Sequence, residues 1–413
     1  MCIDAQPAEP AIPPLGRNGN FVRLWTGGAV SGLGSAMTAL AYPLLALGLT
    51  NSAGAAGLLG LVALGVGTVA RLPAGAVVDR VPLRAVLVAA GVLRLVATAA
   101  LAVSVLTGRL ALWQLLVVGA VNAVGAVFAE IAHSVALRHV VPAVQLPQAF
   151  ALDQGRGHAI SLVGQPAGGL LYGIAPALPL AADVITSGLS VALSASLTDP
   201  LLPNPGAEPQ RRIRHELLTG LRFLWREPLL RATLLAAAAY QLVFGAAVFA
   251  LIASLTAAGA SAGSVGGLFA VAAAGGILGA LATPALQARL TLRWMVVVMG
   301  ATATAVFGAL AWIDRPLLAG LLVGTIFLTS APANAVLLAA QIRRTPARLQ
   351  GRVMAASYLV AGLAAPLGPP GGGTALDLAG PEATFLGIAA LTALVTVGVA
   401  VSRSLREPDP SRG

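Results

Sequence analysis

Three charged side chains, Arg71, Arg94 and Glu130, fall inside long apolar runs of this 413-residue chain. At 1.5 Å per helical residue, Arg71 lies about 12 Å before Asp79, Arg94 about 15 Å beyond Arg84, and Glu130 about 12 Å before Arg138. All three therefore share a depth from which a side chain does not fully reach water. An unpaired charge there costs on the order of 3 kcal/mol. Pairing, protonation or a wet cavity must relieve that cost. A carboxyl so placed, with arginines at the same level, suits reversible protonation, and Glu130 is the candidate carrier. A fixed ion pair is the alternative that the same residues leave open. His133 follows Glu130 by three residues on one helical face and extends the candidate path, or is a solvated histidine near the inner end of its run. Asp183, near the outer end of the sixth run, is a further candidate acid. Asp153 and Arg156 are spaced for an i,i+3 pair.

The elements that must hold these residues are set by composition. The chain is 57% hydrophobic and 10% charged, with a mean hydropathy of +0.87. Soluble domains carry roughly 25% charged residues, so the solvent here is lipid. The formal charge of +10 comes from arginine alone, without one lysine, and the arginines gather in alternate loops. Nothing else points to nucleic acid. Cys2 is the sole cysteine, which excludes an intrachain disulfide and a cysteine-rich metal site. Without lysine there is no phosphate-binding loop of the Gly-Lys type, and no zinc-protease or serine-triad pattern appears, so an enzyme is not expected. The first twenty residues are polar and Pro-rich, so the first span is expected to act as insertion signal.

Apolar runs of spanning length lie at about 24–48, 56–78, 85–106, 111–133, 157–177, 179–198, 229–253, 264–284, 293–313, 316–338, 353–375 and 384–402. Strands of a barrel would alternate polar and apolar residues, so all-helix is the reading. One set of loops holds most of the arginines, from Arg17 and Arg23 to Arg403 and Arg406, while the opposite loops hold only Arg109 and Arg315. That asymmetry places both termini in the cytoplasm and agrees with an even number of spans. Loop 75–84, with Asp79, Arg80 and Arg84, is then a cytoplasmic hairpin tip. The chain divides into a tail (1–20), a first six-helix bundle (21–198), a central loop (199–227), a second bundle (228–403) and a tail (404–413). In the central loop Ile213, Leu217, Leu221 and Leu224 recur at three and four residues, predicting an amphipathic helix on the inner membrane surface.

The two bundles repeat. Val81-Pro-Leu-Arg84 is echoed by Leu290-Thr-Leu-Arg293, Pro142 by Pro346, and Gly164-Gln-Pro-Ala-Gly168-Gly169 by Gly368-Pro369-Pro-Gly-Gly372-Gly373. Two parallel repeats imply a translocation path between them. The glycines let helices approach closely, and Pro166, Pro369 and Pro370 bend them.

On these residues the chain resembles the major facilitator superfamily, and its macrolide-efflux and siderophore-exporter branch in particular. Gly75, Asp79, Arg80 and Arg84 match the family's loop between spans two and three. The Gly-Gly pairs at 168–169 and 372–373 match its antiporter motif. Phe21-Val-Arg-Leu-Trp25, Phe128, Glu130, Val141-Pro142, Gly220-Leu-Arg-Phe-Leu224, Pro228-Leu-Leu-Arg231 and Gln350-Gly-Arg-Val353 match the branch elsewhere. Pro82, Leu83 and Gln165 depart from the pattern, as does Ser35, where an acid is common. The resemblance implies an all-α membrane protein of twelve spans in two pseudo-symmetric bundles. It implies a conformational latch at Gly75, Asp79, Arg80 and Arg84, and a cavity whose candidate lining is Met37, Tyr42, Asn122, Tyr240, Gln241, Phe244, Phe327 and Asn334. The expected function is export of a small amphiphilic compound by proton antiport with alternating access. The expected setting is a monomer in the bacterial cytoplasmic membrane, with the proton gradient as energy source and no cofactor or metal. An importer of the same fold and a membrane sensor or scaffold are the alternatives.

Overall fold

The structure, a computed structural model, describes residues 14–198, 211–346 and 349–402. Thirteen α-helices account for nearly all of them, and there is no strand among the described residues. In the first half these are α1 (Gly19–Thr50), α2 (Ala53–Val78), α3 (Leu83–Leu106), α4 (Leu112–Val140), α5 (Leu146–Ile174) and α6 (Leu178–Ala195). After α7 (Arg211–Arg226) come α8 (Pro228–Ala257), α9 (Ala262–Arg289), α10 (Leu292–Leu310), α11 (Pro316–Arg344), α12 (Gln350–Ala364) and α13 (Gly368–Val401). Helix is the form that closes every backbone hydrogen bond within one segment, as lipid demands. The helix starts carry familiar signals: Asn18 and Ser52 accept from Phe21 and Ala55 N–H at 3.1 Å each, and proline opens α5, α6, α8, α11 and α13.

Among the described residues, ten helical stretches are long and apolar enough to cross a bilayer. The last, Arg352–Val401, has 50 residues and must cross twice, because about 20 suffice. Its elbow is Gly380, in the left-handed region at φ 75°, followed by Pro381. The remaining expected span is α5, which has 29 residues but carries Asp153 and Arg156. It begins well before residue 157, because its polar first turns are satisfied by ionic partners instead of lipid.

The halves are built alike. In the first, α1 packs on α5, α2 on α4, and α3 on α6. In the second, α8 packs on the first arm of α13, α9 on α11, and α10 on the second arm. Between halves, α5 lies on α9 and α2 on α13. These junctions sit on the side away from the chain ends. There the buried cluster around Leu40 and Leu44 of α1 continues into Leu251, Leu255, Val265 and Phe385, and that around Leu45 and Leu59 takes in Phe249 and Ala253. On the terminal side each buried cluster stays within one half: Phe21, Leu24, Leu83 and Leu137 in one, Leu229, Met295 and Val399 in the other. Among the described residues, the buried clusters that bridge the halves therefore lie on the far side, and none bridges them on the terminal side.

Helix α7 carries the expected apolar stripe, but Leu224 is 1% exposed because it is covered by Leu230, Leu234, Val353 and Ala356 of α8 and α12. A Cβ on Gly220 would stand on the backbone of Arg352. Its last two turns thus pack on α8 and α12 of the second bundle. The side chains of Ile213 and Leu217 lie outside the described residues.

Candidate functional site

The embedded charges do not gather into one trio. Arg71 of α2 donates to Glu130 of α4 through both arms, Nη1 to Oε1 at 3.3 Å and Nη2 to Oε2 at 2.9 Å, and both side chains are more than half exposed. Arg94 goes elsewhere. It is buried between α1, α4 and α6, donates to Ser31 Oγ at 3.0 Å and to Ser35 Oγ, and stands 4.0 Å from Asp183 Oδ1. Equal depth fixes distance along the membrane normal but not the direction around each helix axis. For that reason the expected level was not a shared site. Asp183 lies in the second turn of α6, near its outer end as read, and is fully covered at 1% exposure.

A polar chain leads away from that pair. Thr98 Oγ1 donates to Asp183 Oδ2 at 3.2 Å, and Asn122 Nδ2 reaches Thr98 Oγ1 at 3.1 Å and Tyr42 Oη at 2.7 Å. Tyr42 and Asn122, expected in a substrate cavity, belong to this network because their polar ends have partners here. Met37 is half-buried in α1, and its backbone carbonyl backs Gly168. His133 is drawn away from Glu130 as well: its Nε2 lies 3.0 Å from Asp153 Oδ1, which also holds Arg156 Nη2 at 2.8 Å, the i,i+3 pair the spacing suggests. Arg156 further donates to the Trp25 carbonyl at 3.0 Å.

The other cavity candidates stay together. Tyr240, Gln241 and Phe244 of α8 and Phe327 and Asn334 of α11 line a cavity of about 420 Å³ within the second half, shared with Met299, Phe307, Ser330 and Tyr358. Among the described residues no charged side chain lines it. Phe244 and Phe327 form a tilted ring pair with centroids 5.7 Å apart, and Tyr240 Oη lies 3.0 Å from Thr396 Oγ1.

The glycine motifs sit at the helix crossings. A Cβ on Gly164 or Gly168 would meet Ala36 or the Met37 carbonyl of α1, and one on Gly169 would stand 2.5 Å from the Ala262 carbonyl of α9. In the second half, Gly368 and Gly372 back onto α8 at Leu242 and Ala246, Gly373 backs onto the Ala53 carbonyl of α2, and Pro369 packs against Gly57 and Gly60. Each motif therefore serves one crossing inside its half and one between halves. The loop residues behave differently. Asp79 and Arg80 are exposed and have no ion-pair partner among the described residues, Arg84 donates to the Ala195 carbonyl, and Gly75 faces open space.

Asp377 is the residue that sequence reasoning missed. Its carboxylate crosses from α13 to the other half and accepts from Ser52 Oγ at 2.6 Å and from the N–H groups of Ala53 and Gly54 at 2.9 Å each. An anion on the first turn of α2 satisfies amides that no helix bond uses. The available signal was an acid one helical turn beyond Gly373. Beside it, on the far side, a cleft of about 590 Å³ is lined by Asn51, Tyr172 and Thr256.

The sequence profile of the Major Facilitator Superfamily matches residues 24–341. No curated protein matches the chain in sequence. Among solved structures, a bacterial homolog of the human lysosomal transporter Spinster, in an inward-facing and unoccupied conformation, superposes with a TM-score of 0.72 at 14% identity, over 95% of this chain and 98% of that one. The nucleoside transporter NupG gives 0.70 at 10% identity, over 94% and 100%. A POT family transporter in complex with 5-aminolevulinic acid gives 0.67 at 12%, over 95% and 96%.

Proposed function

The chain belongs to the Major Facilitator Superfamily, and from that premise we propose that this multi-pass transporter exports a small, uncharged or weakly polar amphiphile by proton antiport. The observation that carries the reading is the cavity in the second half. Its walls are aliphatic and aromatic side chains with one thioether, Met299; Thr233, Gln241, Ser330, Asn334 and the tyrosine hydroxyls supply hydrogen-bonding groups, and among the described residues no charge lines it. Such a lining favours bulky, varied apolar ligands with a few polar groups. Two embedded carboxylates, Glu130 and Asp183, are available for the proton. Each proton entering a cell gains about 2.3 kcal/mol per 100 mV of membrane potential. The halves rock about their junctions, with the far side sealed and the terminal side parted in the state described. The loop at Asp79, Arg80 and Arg84 is the candidate latch of the opposite state, which fits its lack of ion-pair partners here. The setting proposed is the bacterial cytoplasmic membrane, both termini inside.

Inside-out vesicles with an imposed pH gradient test this. Adding a panel of macrolides, dyes and siderophores should release protons from vesicles holding the protein and not from empty ones. Compound-driven proton movement of the opposite sign would favour an importer. Absence of any movement across the panel would count against antiport.

A further inference from the structure

The two embedded carboxylates differ in what holds them. Glu130 is held by both arms of Arg71 in a bidentate pair, Nη1 to Oε1 and Nη2 to Oε2, on an exposed face of the helices. Asp183 has one hydrogen bond, from Thr98, while its Oδ1 has none and sees Arg94 only across 4.0 Å. Arg94 spends its own donors on Ser31 and Ser35, and its Nε is without a partner. The space is cut to these two side chains. A Cβ on Gly34 of α1 would stand 2.5 Å from Asp183 Oδ1, and one on Gly125 of α4 would stand 2.5 Å from Arg94 Cγ. A buried pair at this separation leaves each charge poorly compensated.

We propose that Asp183 is the carboxyl that carries the coupled proton, and that Arg94 transmits its state to α1. The proposal rests on the antiport reading above. With a proton on Asp183, the guanidinium is left to the hydroxyls of Ser31 and Ser35, the arrangement described. When that O–H bond breaks and the proton passes to water on the open side, the carboxylate draws Arg94 across the gap. The hydrogen bonds from α3 to α1 are then given up. Helix α1 feels this directly, because Leu40 and Leu44, further along it, form part of the seal between halves. Among the described residues the groups around Asp183 are Arg94 and Thr98 from α3, Ser31, Ser35 and the titratable Tyr42 from α1, Thr186 and Ser187 from its own helix α6, and Asn122 from α4 behind Thr98. None of them is a second acid.

Distances between spin labels test the assignment without a known substrate. In a Cys2→Ser background, Val144→Cys and Ile342→Cys place labels on exposed positions of the two halves at the parted side. The label distance, measured in lipid nanodiscs by double electron–electron resonance, should shift as pH is lowered. Glu130→Gln should keep that shift. Asp183→Asn should lose it and hold the acid-limit distance at every pH. The combination of Asp183→Asn with Arg94→Gln should also lose the pH shift, because the titrating carboxyl and the guanidinium that reads it are both gone, and it leaves no unpaired buried charge, which guards against a folding defect. A shift that survives in both Asp183 variants overturns the proposal. Loss in Glu130→Gln alone would move the proton to Glu130 and leave antiport standing, and loss in both single variants would overturn assignment to Asp183 alone. A background protein that does not respond to pH at all would sink the antiport reading, and this proposal with it.

Discussion

Removing one partner should tell the two ion pairs apart. Arg94→Ala strands Asp183 at 1% exposure, and loss of one member of a buried pair costs about 3–5 kcal/mol. Glu130→Gln breaks a pair whose side chains are 53% and 61% exposed, and should cost less than about 1 kcal/mol. Thermal unfolding of the two variants in one detergent checks the contrast, and equal losses would contradict it. In the cavity, Phe327→Ala removes a ring pair worth about 0.5–1.5 kcal/mol beyond its buried area. The apparent affinity for any transported aromatic compound should fall several-fold, and an unchanged value would place the ligand elsewhere. All the embedded charges were visible in the sequence as residues too costly to be accidental. Their pairing was not, because spacing gives depth and leaves open which neighbour each side chain faces. Ser35 illustrates this: it reads as the loss of an acid, yet in space it receives Arg94.

At the scale of helices, the glycine motifs do two different jobs, and substitution should separate them. Gly168→Ala forces α5 from α1 within one half, an overpacking that costs typically about 1–3 kcal/mol. Gly373→Ala forces α13 from α2 and so acts between halves. The first should lower the unfolding temperature. The second should open the far side, read as a longer distance between labels at Gly48→Cys and Ala258→Cys. Asp377→Asn should act in the same direction. Its carboxylate is exposed, so the clasp on α2 is worth roughly 1 kcal/mol, which is about a five-fold shift in the balance of closed and open far sides. An unaltered distance distribution in Asp377→Asn would remove the clasp from the gate. Helix number and the repeat were legible because hydropathy and the Gly-Pro landmarks are local. The Gly380 elbow was not, since a glycine before a proline breaks a span only when its neighbours hold it at φ 75°. Nor was α5, whose early turns read as loop until Asp153 is seen to hold both His133 and Arg156.

At the scale of the molecule, the two halves share one packing plan and meet on one side. Their equivalence could be read from matched landmarks; the side on which they are sealed could not, because both alternatives bury the same residue types. The join between the halves has a property of its own. Helix α7 is fastened to the second bundle through Gly220 and Leu224, so the covalent bridge narrows to residues 199–210. Two genes, one ending and the other beginning inside it, should therefore yield fragments that insert separately and find each other along the α2–α13 and α5–α9 seams. Co-purification of the untagged fragment with its tagged counterpart from a single membrane would make this a transporter that can be assembled from two polypeptides.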